Sequence, residues 1–298
     1  MEYSIDDWVE NASEERKDFS QAVHIILEAI SSSEYLKPKM IMKGGMLLGI
    51  RYQSSRFTED IDFSTSEKLS DINEDEFTKE LNESLQIAAD TLPYSMKCAV
   101  QKIEVKPKDE DATFPSFKLK IGYANLNNKN AMRRLEKGQS ANTVKIDYSF
   151  NEMTYKTDEI KLEGDESVQA YSITDLLAEK IRSIIQQPYR KRNRRQDVYD
   201  LHYLLNTIEE LNSEEKFNIL DTLFKKSQGR VPLEDITPQT LDRDDIRKMS
   251  EKAYPLLERE VEHGTLPEFE VAYDTIVSFY KSLPWDCINI TPEPELTC

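Results

Sequence analysis

Apolar positions along this 298-residue chain follow two rhythms, and the change between them divides it. Phe19, Val23, Ile26, Leu27 and Ile30 recur every three or four residues, which predicts an amphipathic helix over 13–33, ended by Ser31-Ser32-Ser33. A short apolar run, Met40 to Met42, then leads into Lys43-Gly44-Gly45 and a helix-like Met46-Leu47-Leu48. Asp60-Ile61-Asp62-Phe63 alternates as a strand does, with both acids on one face and Ile61 and Phe63 on the other. Phe77, Leu81, Leu85 and Ala88 or Ala89 predict a second helix over 71–92, closed by Pro93. Alternation in 95–105, 116–124 and 143–150 predicts three more strands. Between the last two, 125–138 is polar and carries Lys129, Arg133, Arg134 and Lys137; it reads as a loop, either solvated or binding.

From Ser172 onward helical spacing prevails. Ser172-Ile173-Thr174-Asp175 has the form of a capping box for a helix running to about Gln187, before Pro188. Further helices are expected over 194–206, 213–226, 243–262 (interrupted at Pro255) and 268–282, with 228–243 as a loop. The fold class is therefore α+β: a mixed domain over 1–165, a helical domain over 166–290, and an extended tail over 291–298.

Composition narrows the function classes. Apolar residues make up 38% and charged residues 32%, as in a soluble globular protein, and no apolar run approaches a membrane span. The first residues lack the pattern of a signal peptide, and three widely separated cysteines (Cys98, Cys287, Cys298) indicate neither a disulfide framework nor a zinc knuckle. A cytoplasmic location is expected. The net charge of −17 argues against a general nucleic-acid coat while allowing a local basic groove.

The candidate chemistry centres on 40–65. Gly44 and Gly45 let backbone amides approach an anion at a helix start, and Asp60 and Asp62 are hard oxygen ligands one strand period apart. A phosphate facing two carboxylates calls for magnesium between them, which points to a metal-dependent enzyme acting on a nucleoside triphosphate. Asp147, in Val144-Lys145-Ile146-Asp147-Tyr148, is either a third ligand of a two-metal site or an edge-strand acid facing water. Lys180 lies on the apolar stripe Ile173, Leu177, Ile181 and Ile184, where it either snorkels to the rim or holds phosphate. Residues 190–195 are the densest basic run, either a solvated face or a phosphate contact; Asp197 and Asp200 follow on one flank. Asp200 is either a partner for a nearby arginine or a helper at the site. His24, His202 and His263 are scattered, and neither a Ser-His-Asp arrangement nor a Gly-x-x-x-x-Gly-Lys-Ser/Thr loop is present.

Four segments taken together resemble the AbiEii/AbiGii family of nucleotidyltransferase toxins, a branch of the DNA polymerase β-like superfamily. They are Lys43-Gly44-Gly45 with Arg56 and Asp60-Ile61-Asp62-Phe63; Lys145-Ile146-Asp147; Asp175 to Lys180; and Arg195-Gln196-Asp197-Val198-Tyr199-Asp200. The resemblance spans roughly 20–210. It implies a polymerase β-like sheet with flanking helices, a helical C-terminal domain, and transfer of a nucleoside monophosphate from an NTP with release of pyrophosphate. Family members act in type IV toxin–antitoxin and phage-defence systems, and several modify the 3′ end of tRNA. By the same resemblance Asp60, Asp62 and Asp147 hold two Mg²⁺ ions, which Mn²⁺ can replace. Gly44 and Gly45 offer amides to the triphosphate, Lys43, Arg56 and Lys180 balance its charge, and Asp200 is a motif residue of open role. Two departures stand out: Met46 follows the glycines where the family usually has Ser or Thr, and Gln196 precedes Asp197 where a basic residue is frequent.

The expected partners are an NTP, an RNA or tRNA acceptor and an antitoxin or operon partner protein, with no membrane. Alternative activities are synthesis of free oligonucleotides or a nucleotide signal, and nucleotidylation of a protein. From another class, the chain reads as a non-catalytic NTP-binding module. A metal nuclease leaves the Gly-Gly turn without a purpose.

Overall fold

The computed structural model describes residues 5–109, 112–162, 166–262 and 264–287. Its contacts cluster into two compact units, Met1–Ser172 and Ile173–Cys298.

The first unit is built on a mixed seven-stranded sheet. In chain order it contains α1 (Ile5–Glu10), α2 (Glu14–Ser31), β1 (Ile41–Lys43), α3 (Gly44–Tyr52), β2 (Asp60–Ser64), α4 (Glu74–Thr91), β3 (Met96–Lys106), β4 (Ser116–Asn125), α5 (Lys129–Glu136), β5 (Thr143–Ser149), β6 (Thr157–Lys161) and β7 (Ser167–Tyr171). The spatial strand order is β3-β4-β5-β2-β1-β7-β6. β2 runs parallel to β5 and β1 parallel to β7, while the other pairs are antiparallel. The helical stripes expected from the sequence cover one side of this sheet: α2 and α4 pack on each other and on β3. Beneath them Phe63, Phe77, Phe117, Tyr148 and Phe150 are almost wholly buried, with Phe77 stacked on Tyr148 at a centroid distance of 5.8 Å. Burying each such ring contributes on the order of 2 kcal/mol. The serines after α2 act as expected: Ser31 and Ser32 hydroxyls both donate to the Glu28 carbonyl and turn the chain out of the helix.

Two features depart from the sequence reading. Residues 129–136, expected within a loop, form α5, capped by Asn128, whose side chain accepts from Ala131 N–H. Only Leu135 of this helix is buried, so no apolar period reveals it. The β6–β7 hairpin was not expected either. β6 buries only Ile160, and β7 (Ser167-Val168-Gln169-Ala170-Tyr171) is buried at four of its five positions, on both faces, so it shows no apolar–polar alternation.

The second unit comprises α6 (Ile173–Ile185), α7 (Gln187–Arg190), α8 (Arg195–Thr207), α9 (Ser213–Ser227), α10 (Asp244–Glu251) and α11 (Phe269–Lys281). α6 is its centre and packs on α8 and α9, burying Leu176, Leu177, Ile181, Ile184 and Ile185. Asn212 and Glu215 form a reciprocal capping box at the start of α9. Pro255 interrupts the 243–262 helix as expected: α10 stops at Glu251 and Tyr254–Arg259 continue as a 3₁₀ turn. Tyr273 and Tyr280 on α11 donate to the carbonyls of Leu241 and Thr237, which ties the 228–243 loop to the helices. No helix among the described residues is long and apolar enough to cross a membrane. The expected tail, 291–298, lies outside the described residues.

Candidate active site

The turn from β1 into α3 brings the first group of side chains together. Gly44 has φ +75°, and a Cβ there would collide with the Asp62 carboxylate. Glycine is needed both for the left-handed backbone and for the close approach of the acid. A Cβ on Gly45 would fall 2.5 Å from a guanidinium nitrogen of Arg56, which is itself buried. An acid and a base are thus packed against the two glycines, where α3 begins and its first N–H groups have no intrahelical partner. Lys43, just before the turn, has a buried ammonium 2.8 Å from the equally buried Glu152 carboxylate. Met46 is buried in α3.

Strand register supplies the rest. β2 pairs with β5 so that Asp62 lies beside Asp147 and Asp60 beside Lys145. Lys43 is the β1 neighbour of Asp62, and Lys118 is the β4 neighbour of Asp147. One row across four strands therefore reads Lys118, Asp147, Asp62, Lys43. Registered neighbours project to the same side, so these residues share the face opposite Ile61 and Phe63. β5 lies inside the sheet between β4 and β2, which removes the edge-strand reading of Asp147. Two acids side by side repel, and the cations on either flank offset that cost. Lys118 donates to Asp147 Oδ2, while Asp147 Oδ1 is buried with no hydrogen-bond partner. Lys145 lies 3.6 Å from the more exposed Asp60 and 3.5 Å from Glu59.

The structure thus gathers Lys43, Gly44, Gly45, Arg56, Asp60, Asp62 and Asp147 at one end of the β1–β2–β5 segment. Sequence reasoning missed Lys118 and Glu152. Lys118 alternates with Lys120 in an ordinary strand pattern, and only strand order sets it beside Asp147; Glu152 lies past the end of β5, out of reach of any local spacing.

The other two candidates belong to the helical unit. Lys180 on α6 does not snorkel outward: its side chain is 8% exposed, and Nζ lies 2.6 Å from Asp200 and 3.2 Å from Asp197 on α8. Asp200, 1% exposed, is a partner for this buried lysine. Five residues before Lys180 on α6, the fully buried Asp175 meets Lys226 of α9 at 3.0 Å. In the basic run Arg195 pairs with Glu260 at 2.7 Å, and Arg194 approaches Asp197 at 3.9 Å.

The remaining candidates for chemistry recede. His24 is fully buried in α2, with Nδ1 2.8 Å from the Tyr94 hydroxyl, and burial lowers its pKa. Burial pushes the Cys98 thiol up to about 12, so it is no ready nucleophile. A cavity of about 710 Å³ is lined by Lys68, Glu104, Pro107 and Pro115 but by none of the site residues. Carboxylate chemistry, not cavity size, places the candidate site.

The family model described as "Nucleotidyl transferase AbiEii toxin, Type IV TA system" matches residues 25–275. No curated protein matches the chain. Among solved structures, JHP933 from Helicobacter pylori aligns with a TM-score of 0.51 at 18% identity, over 91% of this chain and 92% of its own, and shows the same fold. A putative nucleotidyltransferase from H. pylori aligns with a TM-score of 0.41 at 18% identity, over 85% of this chain and 100% of its own.

Proposed function

Because the chain belongs to the AbiEii family of nucleotidyltransferase toxins of type IV toxin–antitoxin systems, we propose that it transfers a nucleoside monophosphate from an NTP to an RNA acceptor, a tRNA 3′ end, and that the reaction depends on Mg²⁺ or Mn²⁺. The observation that carries this reading is the in-register pair Asp62 and Asp147 set against the Gly44-Gly45 turn.

Among the described residues, no three His, Cys, Asp or Glu side chains already converge into a metal-binding group. The donor chemistry nonetheless fits a hard cation. Asp60, Asp62 and Asp147 offer carboxylate oxygens on one sheet face, and Asp147 Oδ1 is buried without a partner. These three residues would hold the ion. A bound magnesium would supply charge neutralisation at the reacting phosphate.

The chain's own residues do the positioning. The backbone at Gly44 and Gly45 admits phosphate closely, with the α3 N-terminus favouring negative charge. Arg56, packed against Gly45, and Lys43, just before the turn, balance the triphosphate. The acceptor hydroxyl oxygen forms a bond to the α-phosphorus and gives up its proton to solvent, as the bond to the α,β-bridging oxygen breaks and pyrophosphate leaves with those electrons. Positioning and electrostatic stabilisation supply the acceleration in such transfers. The setting is the cytoplasm, with an antitoxin as the genetic partner.

The test is incubation with each α-labelled NTP and Mg²⁺ or Mn²⁺, with and without total tRNA. Label migrating with tRNA is expected. Small or laddered products point instead to free oligonucleotide synthesis, and label on polypeptide to protein modification. Binding of NTP without turnover under every condition identifies a non-catalytic module.

A further inference from the structure

We infer that an RNA acceptor strand is held by its phosphates along a basic track formed by Lys102, Lys120 and Lys145 on the sheet and continued by Lys129, Arg133 and Lys137 on α5. This rests on the reading of the carboxylate row as a nucleotidyl-transfer centre and adds the surface that delivers the acceptor to it.

Register builds the sheet part. Lys102 of β3 pairs with Lys120 of β4, which pairs with Lys145 of β5, which pairs with Asp60 of β2. Three lysines on three neighbouring strands, each about 4.8 Å from the next, form one row that ends at the first site acid. This row lies next to the Lys118–Asp147–Asp62 row and on the same face, because alternate residues of a strand point the same way. Like charges directly opposite one another destabilise a sheet; Glu104 offsets Lys102 and Glu59 and Asp60 offset Lys145, but Lys120 between them has no such acid among the described residues.

α5 extends the row. Gly122, two residues beyond Lys120 on β4, faces the same side, and a Cβ there would fall 2.7 Å from the Gln101 side chain and 2.8 Å from Ser140. Gln101, at the irregularity between Val100 and Lys102, donates to the Leu135 carbonyl of α5 and accepts from Ser140 N–H. These contacts dock the helix on the face that bears the carboxylates. Lys129, Arg133 and Lys137 then follow at four-residue spacing, a stripe of like charges that weakens an isolated helix by a few tenths of a kcal/mol per pair.

The stripe is uncompensated. The chain has 56 acidic against 39 basic residues, yet among the described residues Lys120, Lys129, Arg133 and Lys137 have no carboxylate within ion-pair distance. Several exposed cations of the helical unit are paired, Lys225 with Asp221, Arg243 with Asp245, Arg247 with Glu270 and Lys281 with Asp242, whereas the former four stand together on one face of the sheet unit. Lys102 and Lys145 are each near one or two acids, but Lys120, Lys129, Arg133 and Lys137 are not; a run of such cations fits a polyanion of regularly spaced charge, and contacts of this kind position a phosphodiester backbone without reading its sequence. Acidic surface elsewhere would repel RNA and so confine it to the track. The basic run at 190–195, expected as a phosphate contact, is less available, since Arg195 is already engaged by Glu260.

The experiment measures anisotropy of a short 5′-fluorescein single-stranded RNA with the full chain, across a range of NaCl concentrations and without NTP. The triple variant K120Q/R133Q/K137Q is expected to bind about tenfold or more weakly. Its slope of log affinity against log salt should be shallower by about 2, the loss of three single-strand phosphate contacts. The charge-preserving K120R/R133K/K137R should keep the wild-type slope, and equal melting temperatures exclude misfolding as the cause. Wild-type affinity and slope in the Gln variant would overturn the track. So would a wild-type chain that binds polyglutamate more tightly than RNA, which points to an acidic protein partner. Because binding is read without NTP, absence of nucleotidyl transfer sinks the proposed function and leaves this result standing.

Discussion

Asp147 in the sheet unit and Asp200 in the helical unit are both acids bonded to a lysine, but their surroundings differ. The Asp147 side chain is 32% exposed, stands beside the like charge of Asp62, and has one buried oxygen without a hydrogen-bond partner. Asp200 is 1% exposed, and its lysine lies 2.6 Å away and touches Asp197 as well. The first arrangement leaves coordination for a ligand; the second is closed on itself. Adjacent acids on a sheet face, one with an unsatisfied oxygen, can accept a cation, whereas a buried acid bonded to lysine is compensated within the fold.

Breaking the open site should affect chemistry and spare the fold. Asp62→Asn and Asp147→Asn are each expected to lower NTP turnover by at least about 10³-fold while leaving the melting temperature unchanged or slightly higher, since one of two adjacent like charges is gone. Label transfer and thermal denaturation read the two effects on the same preparations. Wild-type transfer by either variant would remove these acids from the site.

Breaking the closed pair should do the reverse. Asp200→Ala leaves a buried ammonium with Asp197 as its remaining acid, and a loss of about 3 kcal/mol of unfolding free energy is expected in urea titrations. The double variant K180M/D200L should recover most of that stability, because hydrophobic groups of similar size replace both charges. A loss below about 1 kcal/mol for the single variant would show that the pair is not closed.

The smallest effect sharpens the difference between the two acids. Lys118→Met removes the cation now bonded to Asp147, so Mn²⁺ should bind about fivefold more tightly by calorimetry, the equivalent of one partly exposed ion pair. Unchanged or weaker Mn²⁺ binding would mean that Lys118 and the ion do not compete for the same carboxylate.

Much of this molecule was legible in its residue order. Phe77, Leu81 and Leu85 marked α4, and the alternation around Asp60 and Asp147 marked β2 and β5, because helix and strand periods are local properties of neighbouring residues. The glycines at 44 and 45 read as a turn whose amides meet an anion; the structure packs the side chains of Asp62 and Arg56 against them. α5 was hidden because its one buried side chain, Leu135, cannot make a period. β6 was hidden because an edge strand with a single buried residue resembles a polar loop.

The sequence by itself marked most of the elements and singled out the acids, glycines and cations proposed for the site; it set the boundary between mixed and helical regions at 165, whereas the contact units meet after Ser172, because β7 carries no local signal. Tertiary structure decided who stands beside whom. Asp147 neighbours Asp62 because β5 inserts beside β2 in parallel register, across more than eighty residues of chain. Lys118 reaches Asp147 and Lys43 turns to Glu152 for the same kind of reason. Pairing of distant strands is a cooperative outcome of burying one sheet face under α2 and α4, and no local spacing records it.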